Sequence, residues 1–402
     1  MAAIDDYRWL VSDAAQPWLS LAQDELSLDP TMQVGDVLVK LTSQLRRDLS
    51  ANQTHLVIEQ IDLRARARDK FGCASEMFFT RKGLEQATDE QLAAYKASRF
   101  RAEQRLADLC CGIGGDLVAF TSRGKTHGID HDPATALLAT ANARVHGFSH
   151  ECCSVTVQDA TEFPVGGTAW HCDPDRRKDG RRATRGELFN PALEQIDKLL
   201  TQSNAAAVKL APATEAPVAW QQNAELEWLS SRGECRQQVA WFGPLARHPG
   251  KRAATVFCAS GKQSSVVGTA DEAVPQVTAV GRYLYEPDAA VLAAKLSAVL
   301  CLEHSLAAIS PGIAYFTSDI FINDLALDRF EVIDVLPLDR KQLKAYCREH
   351  RLGRLEIKKR GVDLSPDRLR KEIAGDGENA ATIIVAPMQN QNRAIITRRI
   401  SR

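Results

Sequence analysis

The sequence lacks the features that would assign it to a membrane, secreted or disulfide-stabilised class. No apolar run approaches the roughly 18 residues that a membrane-spanning helix needs, and Met1 to Asp6 have neither the basic start nor the apolar stretch of a secretory signal. The ten cysteines form no Cys-x-x-Cys pair, so free thiols in a reducing compartment account for them better than disulfides. These absences predict a cytoplasmic protein with no membrane partner.

The sequence also lacks an organised set of metal ligands. His146, His150, Cys152 and Cys153 are spaced as on a helix, but a metal site needs four organised donors and these residue types are as natural at a helix end. No metal is predicted.

The chain also lacks a large net charge of either sign. The 402 residues carry 50 basic and 51 acidic side chains, a formal charge of −1, which excludes a polycation that coats nucleic acid by bulk attraction. The distribution is uneven, because residues 331–402 hold 16 basic and 10 acidic side chains and are therefore about +6 against about −7 for the remainder. A nucleic-acid site would have to be a local patch, and the C-terminal segment is the positive end.

With 45% apolar and 25% charged residues, the composition is that of an ordinary globular protein with two or three cores. Apolar positions recur at helical spacing up to residue 100, where Thr88 and Gln91 resemble a capping box. We predict a mainly α-helical domain over 1–100, a strand-and-helix domain over 101–262 and a mixed α+β domain over 275–402, with a polar linker at 260–275.

The middle domain alternates short β-rich runs with helical stretches. Such alternation predicts an α/β fold with a doubly wound, seven-stranded, mostly parallel sheet. The last two strands are joined by Gly243-Pro244 and Pro249-Gly250 without room for a helix, so we expect them to form an antiparallel hairpin. The predicted strands cover 105–110, 125–130, 154–158, 169–173, 206–210, 237–242 and 254–258. In the C-terminal domain we predict helices over 288–302, 341–350 and 366–374 and strands over 330–336, 354–358, 382–386 and 394–397.

A glycine-rich loop follows the first of these strands. It runs from Asp108 through Cys110, Gly112 and Gly114 into a helix, so that backbone and helix N–H groups can approach a ligand closely. A dinucleotide site would require a third glycine where Leu117 stands, and this weakens the case for NAD.

The next two strands end in acidic residues. Asp130 lies 18 residues after Gly112, the distance at which an acid reaches ribose hydroxyls. Asp159 follows the third strand and could accept a hydrogen bond from an adenine amino group. The carboxyl ends of parallel strands meet at one sheet edge, so these tips predict a single nucleoside site, which His131 and Ala160 are also expected to line.

This set of strand tips resembles the class I S-adenosylmethionine-dependent methyltransferases over roughly residues 100–260. The resemblance implies S-adenosylmethionine as cofactor, with Asp108, Gly112 and Gly114 at its methionine part, Asp130 at the ribose and Asp159 at the adenine. We expect Cys110 to line the same site.

The fourth strand tip reads Cys172-Asp173-Pro174-Asp175-Arg176. Methyltransferases that act on bases often carry an Asp-Pro-Pro-aromatic or Asn-Pro-Pro-aromatic motif here; Arg176 in place of an aromatic leaves no side chain to stack on a target base. The predicted catalytic residues are Asp173, which could orient or deprotonate a nucleophile, with Pro174 and Arg176 beside it.

A wider resemblance spans nearly the whole chain. The stretches 68–71, 83–88, 208–212, 283–288 and 356–362 look like bacterial methyltransferase-like proteins with a THUMP-like C-terminal domain. THUMP domains proper bind RNA, so the resemblance implies a structured RNA substrate such as tRNA or rRNA.

Two clusters of cations could support RNA binding. The basic run over 176–185 is either a solvated loop or a lid that contacts phosphate, and Lys358-Lys359-Arg360 is either a phosphate clamp or a solubilising surface. Small-molecule or protein methylation, and a non-catalytic RNA-binding protein with a vestigial cofactor fold, remain alternatives.

Overall fold

The computed structural model describes residues 3–27, 34–175, 177–178, 181–182, 189–270 and 273–401. The chain divides into two compact units. The first comprises Met1–Leu210, Thr214–Ala216 and Ala240–Arg247, and the second Ala211–Ala213, Pro217–Val239 and His248–Arg402. This division differs from the three domains expected from the sequence, which stay a prediction.

Helices predominate in the first hundred residues. The helices of the first unit are α1 (Ile4–Leu10), α2 (Gln16–Ser27), α3 (Val34–Leu45), α4 (Ala51–Ala67), α5 (Arg81–Gln86), α6 (Glu90–Ser98), α7 (Gly115–Thr121), α8 (Pro133–Val145) and α9 (Leu193–Gln202). A capping box begins α4. The Ser50 side chain accepts from the backbone N–H of Gln53, and the Gln53 side chain accepts from the backbone N–H of Ser50. The capping box expected from Thr88 and Gln91 is wrong, because the N-cap residue of α6 is Asp89.

A parallel sheet follows the helices. Its strands are β1 (Leu106–Leu109), β2 (Thr126–Asp130), β3 (Cys153–Val157), β4 (Ala169–Cys172) and β7 (Ala206–Leu210), while β5 (Arg177–Lys178) and β6 (Arg181–Arg182) form a separate two-stranded ribbon. Strand β1 pairs in parallel with both β2 and β4, β2 with β3, and β4 with β7. The order β3-β2-β1-β4-β7 confirms the predicted parallel α/β sheet and brings five carboxyl ends to one edge.

One buried amide joins the helical segment to this sheet. Asn142 on α8 accepts from the backbone N–H of Phe78 at 2.7 Å and donates to the carbonyl of Ile113 at 2.8 Å. Apolar residues from both segments share one core, in which Leu56 and Phe79 lie with Ile113 and Leu138. The helices before residue 100 therefore support the glycine loop directly.

The second unit begins with α10 (Val218–Asn223) and contains the strands β8 (Glu225–Ser231), most of β9 (Glu234–Trp241), β10 (Arg252–Phe257) and β11 (Gln263–Gly268). The predicted antiparallel hairpin between 237–242 and 254–258 is wrong: β10 pairs in parallel with β8 and antiparallel with β11. The chain turns instead between β8 and β9, where Arg232 and Gly233 have φ of 56° and 76°.

Two unpredicted strands explain this error. Strand β8 is buried along its whole length despite its polar residues, and the buried carboxylate of Glu227 accepts from the Thr255 hydroxyl at 2.6 Å. Strand β11 lies within the segment 260–275, which the sequence predicts to be a linker. Apart from the ribbon of β5 and β6, the described residues between 101 and 270 hold nine strands, where seven were predicted.

A second sheet fills the rest of this unit, in the order β13-β14-β12-β15-β18-β17-β16. Its strands are β12 (Tyr283–Pro287), β13 (Ala307–Ala308), β14 (Phe316–Ser318), β15 (Leu327–Pro337), β16 (Leu352–Lys359), β17 (Asn379–Met388) and β18 (Gln391–Ile400); its helices are α11 (Ala289–Ala293), α12 (Ser297–Glu303), α13 (Arg340–Glu349) and α14 (Pro366–Ile373). The single helix predicted over 288–302 is wrong, since Lys295 at φ 57° separates α11 from α12. The other predicted elements fall on α13, α14, β15, β16, β17 and β18. None of the helices in the described ranges is long and apolar enough to cross a membrane.

Candidate active site

A cavity of about 420 Å³ lies in the first unit at the carboxyl ends of β1, β2 and β4. Its volume is in the range of small-molecule sites. Seven residues predicted from the sequence line it: Asp108, Cys110, Gly112, Asp130, His131, Asp173 and Pro174. The ends of β1, β2 and β4 therefore meet around one space, whereas the sequence predicts a site enclosed by the tips at Gly112, Asp130 and Asp159.

The glycine loop takes a left-handed path that leaves room above it. Cys110, Gly112 and Gly114 have φ of 59°, 56° and 92°. A Cβ on Gly112 would meet nothing within 4 Å, whereas one on Gly114 would lie 3.4 Å from the Cα of Ala139. Gly112 thus gives a ligand access to the backbone, while Gly114 allows close packing of the loop on α8.

Asp130 ties the glycine loop to the second strand. Its carboxylate accepts from the backbone N–H of Gly112 at 2.9 Å and from that of Asp132 at 3.0 Å. Burial raises the pKa of Asp130, and the two backbone hydrogen bonds oppose that rise. This hydrogen bond places the glycine loop and the acid side by side at the cavity, and their joint binding of a nucleoside stays a prediction.

The third strand tip lies apart from the cavity. Asp159 is exposed and caps the turn Ala160–Glu162, where it accepts from the hydroxyl and the backbone N–H of Thr161, and these bonds lower its pKa. Neither Asp159 nor Ala160 lines the cavity. Their contact with adenine stays a prediction.

The fourth strand tip carries an ion pair. Lys209 at the end of β7 is 5% exposed, and its ammonium lies 2.5 Å from Oδ2 of Asp173. It also donates to the Thr88 hydroxyl at 3.2 Å. Arg176 and much of the basic run over 176–185 lie outside the described residues.

A buried polar cluster behind the cavity was missed by sequence reasoning. The ammonium of Lys96 is fully buried and lies 2.7 Å from Oδ2 of Asp116 and 3.3 Å from Nε2 of His171. Nδ1 of His171 lies 2.7 Å from Oδ1 of Asp108, and the Thr88 hydroxyl donates to Asp116 at 2.7 Å. Asp108, Asp116, His171 and Thr88 all line the cavity, so the cluster forms one of its walls.

Protonation in this cluster follows from burial and the neighbouring charges. Burial and the Lys96 ammonium lower the pKa of His171 well below its ordinary value, so its ring is neutral. Burial would raise the pKa of Asp116, but the ammonium groups of Lys96 and Lys209 outweigh it and hold that pKa below its ordinary value, so Asp116 is ionised. Burial and Asp116 raise the pKa of Asp108. Asp108 is therefore the carboxyl in this wall that most lacks a cationic neighbour.

These residues fit the cofactor implied by the sequence. Oδ2 of Asp108 is buried and has no hydrogen-bond partner in the described part of the chain, which leaves an acceptor for an ammonium group. Gly112 provides open backbone at the same wall. S-adenosylmethionine carries an α-ammonium, a ribose and an adenine, and the wall offers groups of the matching kind for the first two.

The predicted phosphate clamp is engaged within the second unit. Lys358 forms an ion pair with Glu286, and the Arg360 guanidinium lies 2.9 Å from the same carboxylate. Two of its three cations are therefore paired with the carboxylate of Glu286, and Lys358 also lies 3.7 Å from Asp328. This arrangement favours a structural role for them.

Comparisons with known proteins agree with this description. The family model described as THUMP domain-like matches residues 327–399. An uncharacterised S-adenosylmethionine-dependent methyltransferase of Mycobacterium tuberculosis, found in strains CDC 1551 and H37Rv, is 29% identical over 340 residues, which are 82% of this chain and 91% of the relative. The crystal structure of a candidate methyltransferase from Porphyromonas gingivalis W83 superposes with a TM-score of 0.74 at 18% identity and covers 96% of this chain and 99% of its own.

The structural match supports the fold, and the mycobacterial relative supports the chemistry over most of the chain. Together with the cavity at the strand tips, they confirm the resemblance found in the sequence. These findings support a class I S-adenosylmethionine-dependent methyltransferase with a THUMP-like C-terminal domain.

Proposed function

We propose that the enzyme methylates structured RNA, which it holds through its THUMP-like segment. The observation that carries this proposal is a basic stripe on α13, made of Lys341, Lys344 and Arg348. All three side chains are exposed on one face of the helix, while Leu343 and Cys347 are buried on a different face. Cations at this spacing suit a row of phosphates.

The charge of the stripe is available to a ligand. Among the described residues, Lys341, Lys344 and Arg348 have no acid within ion-pair distance, in contrast to Arg340, which lies 3.0 Å from Glu372. The stripe falls within the segment that matches the THUMP domain-like model. Because THUMP domains are RNA-binding modules, the family match and the exposed charge support the same partner.

In the first unit we assign the cofactor-binding role to Asp108, Cys110, Gly112, Gly114, Asp130 and His131. Asp130 is proposed to hold the ribose, and Asp108 the amino group of the methionine part. Bound S-adenosylmethionine supplies an electrophilic methyl group on a sulfonium. The protein accelerates methyl transfer chiefly by positioning a nucleophile in line with that methyl group and by excluding water.

We assign the orientation of that nucleophile to Asp173, supported by Pro174 beside it. The carboxylate lines the cavity and is held by Lys209 from the sheet side, so that its other oxygen can accept a hydrogen bond from the target group. Arg176 stays a prediction for contact with the substrate, since it lies outside the described residues.

The proposal is tested by supplying labelled S-adenosylmethionine with total RNA, protein or metabolite fractions and measuring which fraction gains label. We expect label in RNA. Label confined to protein or metabolites would replace RNA by one of the alternative substrates.

A vestigial cofactor fold is distinguished by Asp130→Ala. This variant should lose S-adenosylhomocysteine binding and methylation while it retains RNA binding. If RNA binding persists in wild-type protein that neither binds the cofactor nor methylates any fraction, the chain is a non-catalytic RNA-binding protein.

A further inference from the structure

We propose that Lys96 and His171 are positioning residues for cofactor recognition: they fix Asp108 as the acceptor for the amino group of the methionine part. This inference rests on the proposed cofactor site, but not on RNA as substrate. It assigns a role to a helix, α6, that precedes the methyltransferase sheet in the chain.

The argument begins with the hydrogens of Lys96. A lysine ammonium has three N–H donors and no acceptor. Its neighbours are Asp116 Oδ2 at 2.7 Å, His171 Nε2 at 3.3 Å and the Thr88 hydroxyl at 3.4 Å. All three can accept, so each ammonium hydrogen has a partner and Nε2 of His171 must be the unprotonated nitrogen.

The tautomer of His171 then decides the state of Asp108. A neutral imidazole whose Nε2 accepts must carry its proton on Nδ1. That N–H points at Oδ1 of Asp108, 2.7 Å away. Oδ1 is thereby occupied as an acceptor, and the carboxyl is oriented with Oδ2 as its remaining group.

The burial of the cluster keeps this arrangement fixed. Lys96 is 0% exposed, and Asp108 and His171 are each 1% exposed, so the hydrogen bonds within the cluster are shielded from bulk solvent. Asp116 supplies the counter-charge that Lys96 needs inside the protein. Oδ2 of Asp108 has no partner among the described residues, and an ammonium group from the ligand would satisfy it.

The experiment uses two ligands that differ in the group in question. S-adenosylhomocysteine carries the amino-acid part, whereas 5′-methylthioadenosine carries the same thioether nucleoside without it. Calorimetry on the full chain measures both affinities. A hydrogen bond to a charged group contributes about 1.5–3 kcal/mol, so its loss should weaken binding about 10- to 150-fold.

The key variants are His171→Leu and His171→Asn. The leucine removes the donor to Asp108, so S-adenosylhomocysteine should bind at least about tenfold more weakly while 5′-methylthioadenosine is unchanged within about twofold. The asparagine amide can replace the Nδ1 donor, so His171→Asn should restore most of the affinity for S-adenosylhomocysteine. Lys96→Met should behave like the leucine variant.

Lys96→Met leaves Asp116 buried without its partner, which can prevent folding. The double variant Lys96→Met with Asp116→Asn removes both charges and tests the same point. Equal weakening of both ligands, or an unchanged affinity of His171→Leu for S-adenosylhomocysteine, would overturn the inference. Wild-type protein that binds neither ligand overturns the cofactor site and this inference with it, whereas cofactor binding without RNA methylation removes only the RNA substrate.

Discussion

The ammonium of Lys209 lies 2.5 Å from Oδ2 of Asp173, at the point where β7 and β4 end side by side. The pair lies at the cavity and not on the outer surface, since Lys209 is 5% exposed. The ammonium holds one oxygen of the Asp173 carboxyl group at the cavity. The other oxygen is left to accept a hydrogen bond from a substrate group.

This pair predicts that Asp173→Asn lowers kcat about 10²- to 10⁴-fold with little change in S-adenosylhomocysteine affinity, because the lost group acts on the nucleophile and not on the cofactor. Asp175→Asn is the matched control. Asp175 is two residues away and is paired with Lys82 at 2.6 Å, so its loss should cost less than about tenfold in kcat. Similar kcat values for the two variants would contradict the assignment of Asp173.

Glycine packing near the site gives a prediction about stability. Gly83 lies inside α5, where alanine would ordinarily stabilise a helix, but a Cβ there would lie 2.5 Å from Cγ2 of Ile113. Gly83→Ala should therefore lower the free energy of unfolding by about 1–3 kcal/mol. Gly166 has open space around its Cβ position, and Gly166→Ala should change it by less than about 0.5 kcal/mol in the same urea titration.

The strand tips were predictable because their signal is local. Gly112, Asp130 and Asp173 each follow a recognisable β-rich run, and parallel pairing alone brings such ends together. The wall formed by Lys96 and Thr88 was not predictable, because its residues come from a helical segment in which lysine and threonine are ordinary surface or capping residues. Lys96 and Thr88 contribute to the site only because the fold buries them behind the cavity.

Buried carboxylates explain why strand β8 was not predicted from the sequence. Glu225 and Glu227 in β8 argue against a buried strand, since carboxylates are rarely buried without partners. In the structure both are buried, Glu227 with a bond from Thr255 and Glu225 with one from the backbone N–H of His248. Hydrogen-bond partners distant in sequence allow these carboxylates to be buried, which the local pattern does not indicate. Without strand β8, the sequence predicts the hairpin between the wrong pair of strands.

Protonation of His171 predicts how stability depends on pH. Its pKa is lowered in the folded protein by burial and by Lys96, while Asp116 opposes the shift. The unfolded chain takes up a proton near pH 6.5 and the folded chain does not, so stability should fall as the pH drops through that value. Between pH 7.5 and pH 5.5, His171 should therefore lower the free energy of unfolding by about 1.4 kcal/mol.

Urea titrations at the two pH values measure this effect. His171→Asn should lose about 1.4 kcal/mol of the pH-dependent change, since asparagine does not titrate. An unchanged pH dependence in His171→Asn would show that the ring is already charged in the folded state.

The basic stripe on α13 predicts how RNA binding depends on salt. Lys344→Glu with Arg348→Glu should weaken RNA binding at 50 mM salt by at least about tenfold and reduce the slope of log affinity against log salt by about 2, one for each phosphate contact. S-adenosylhomocysteine affinity should not change. Arg370 serves as the control, because its guanidinium is paired with Asp367 at 2.8 Å and Arg370→Ala should leave the slope near its wild-type value. A double charge reversal that leaves the slope unchanged would exclude α13 as the RNA-binding surface, even if the enzyme methylates RNA.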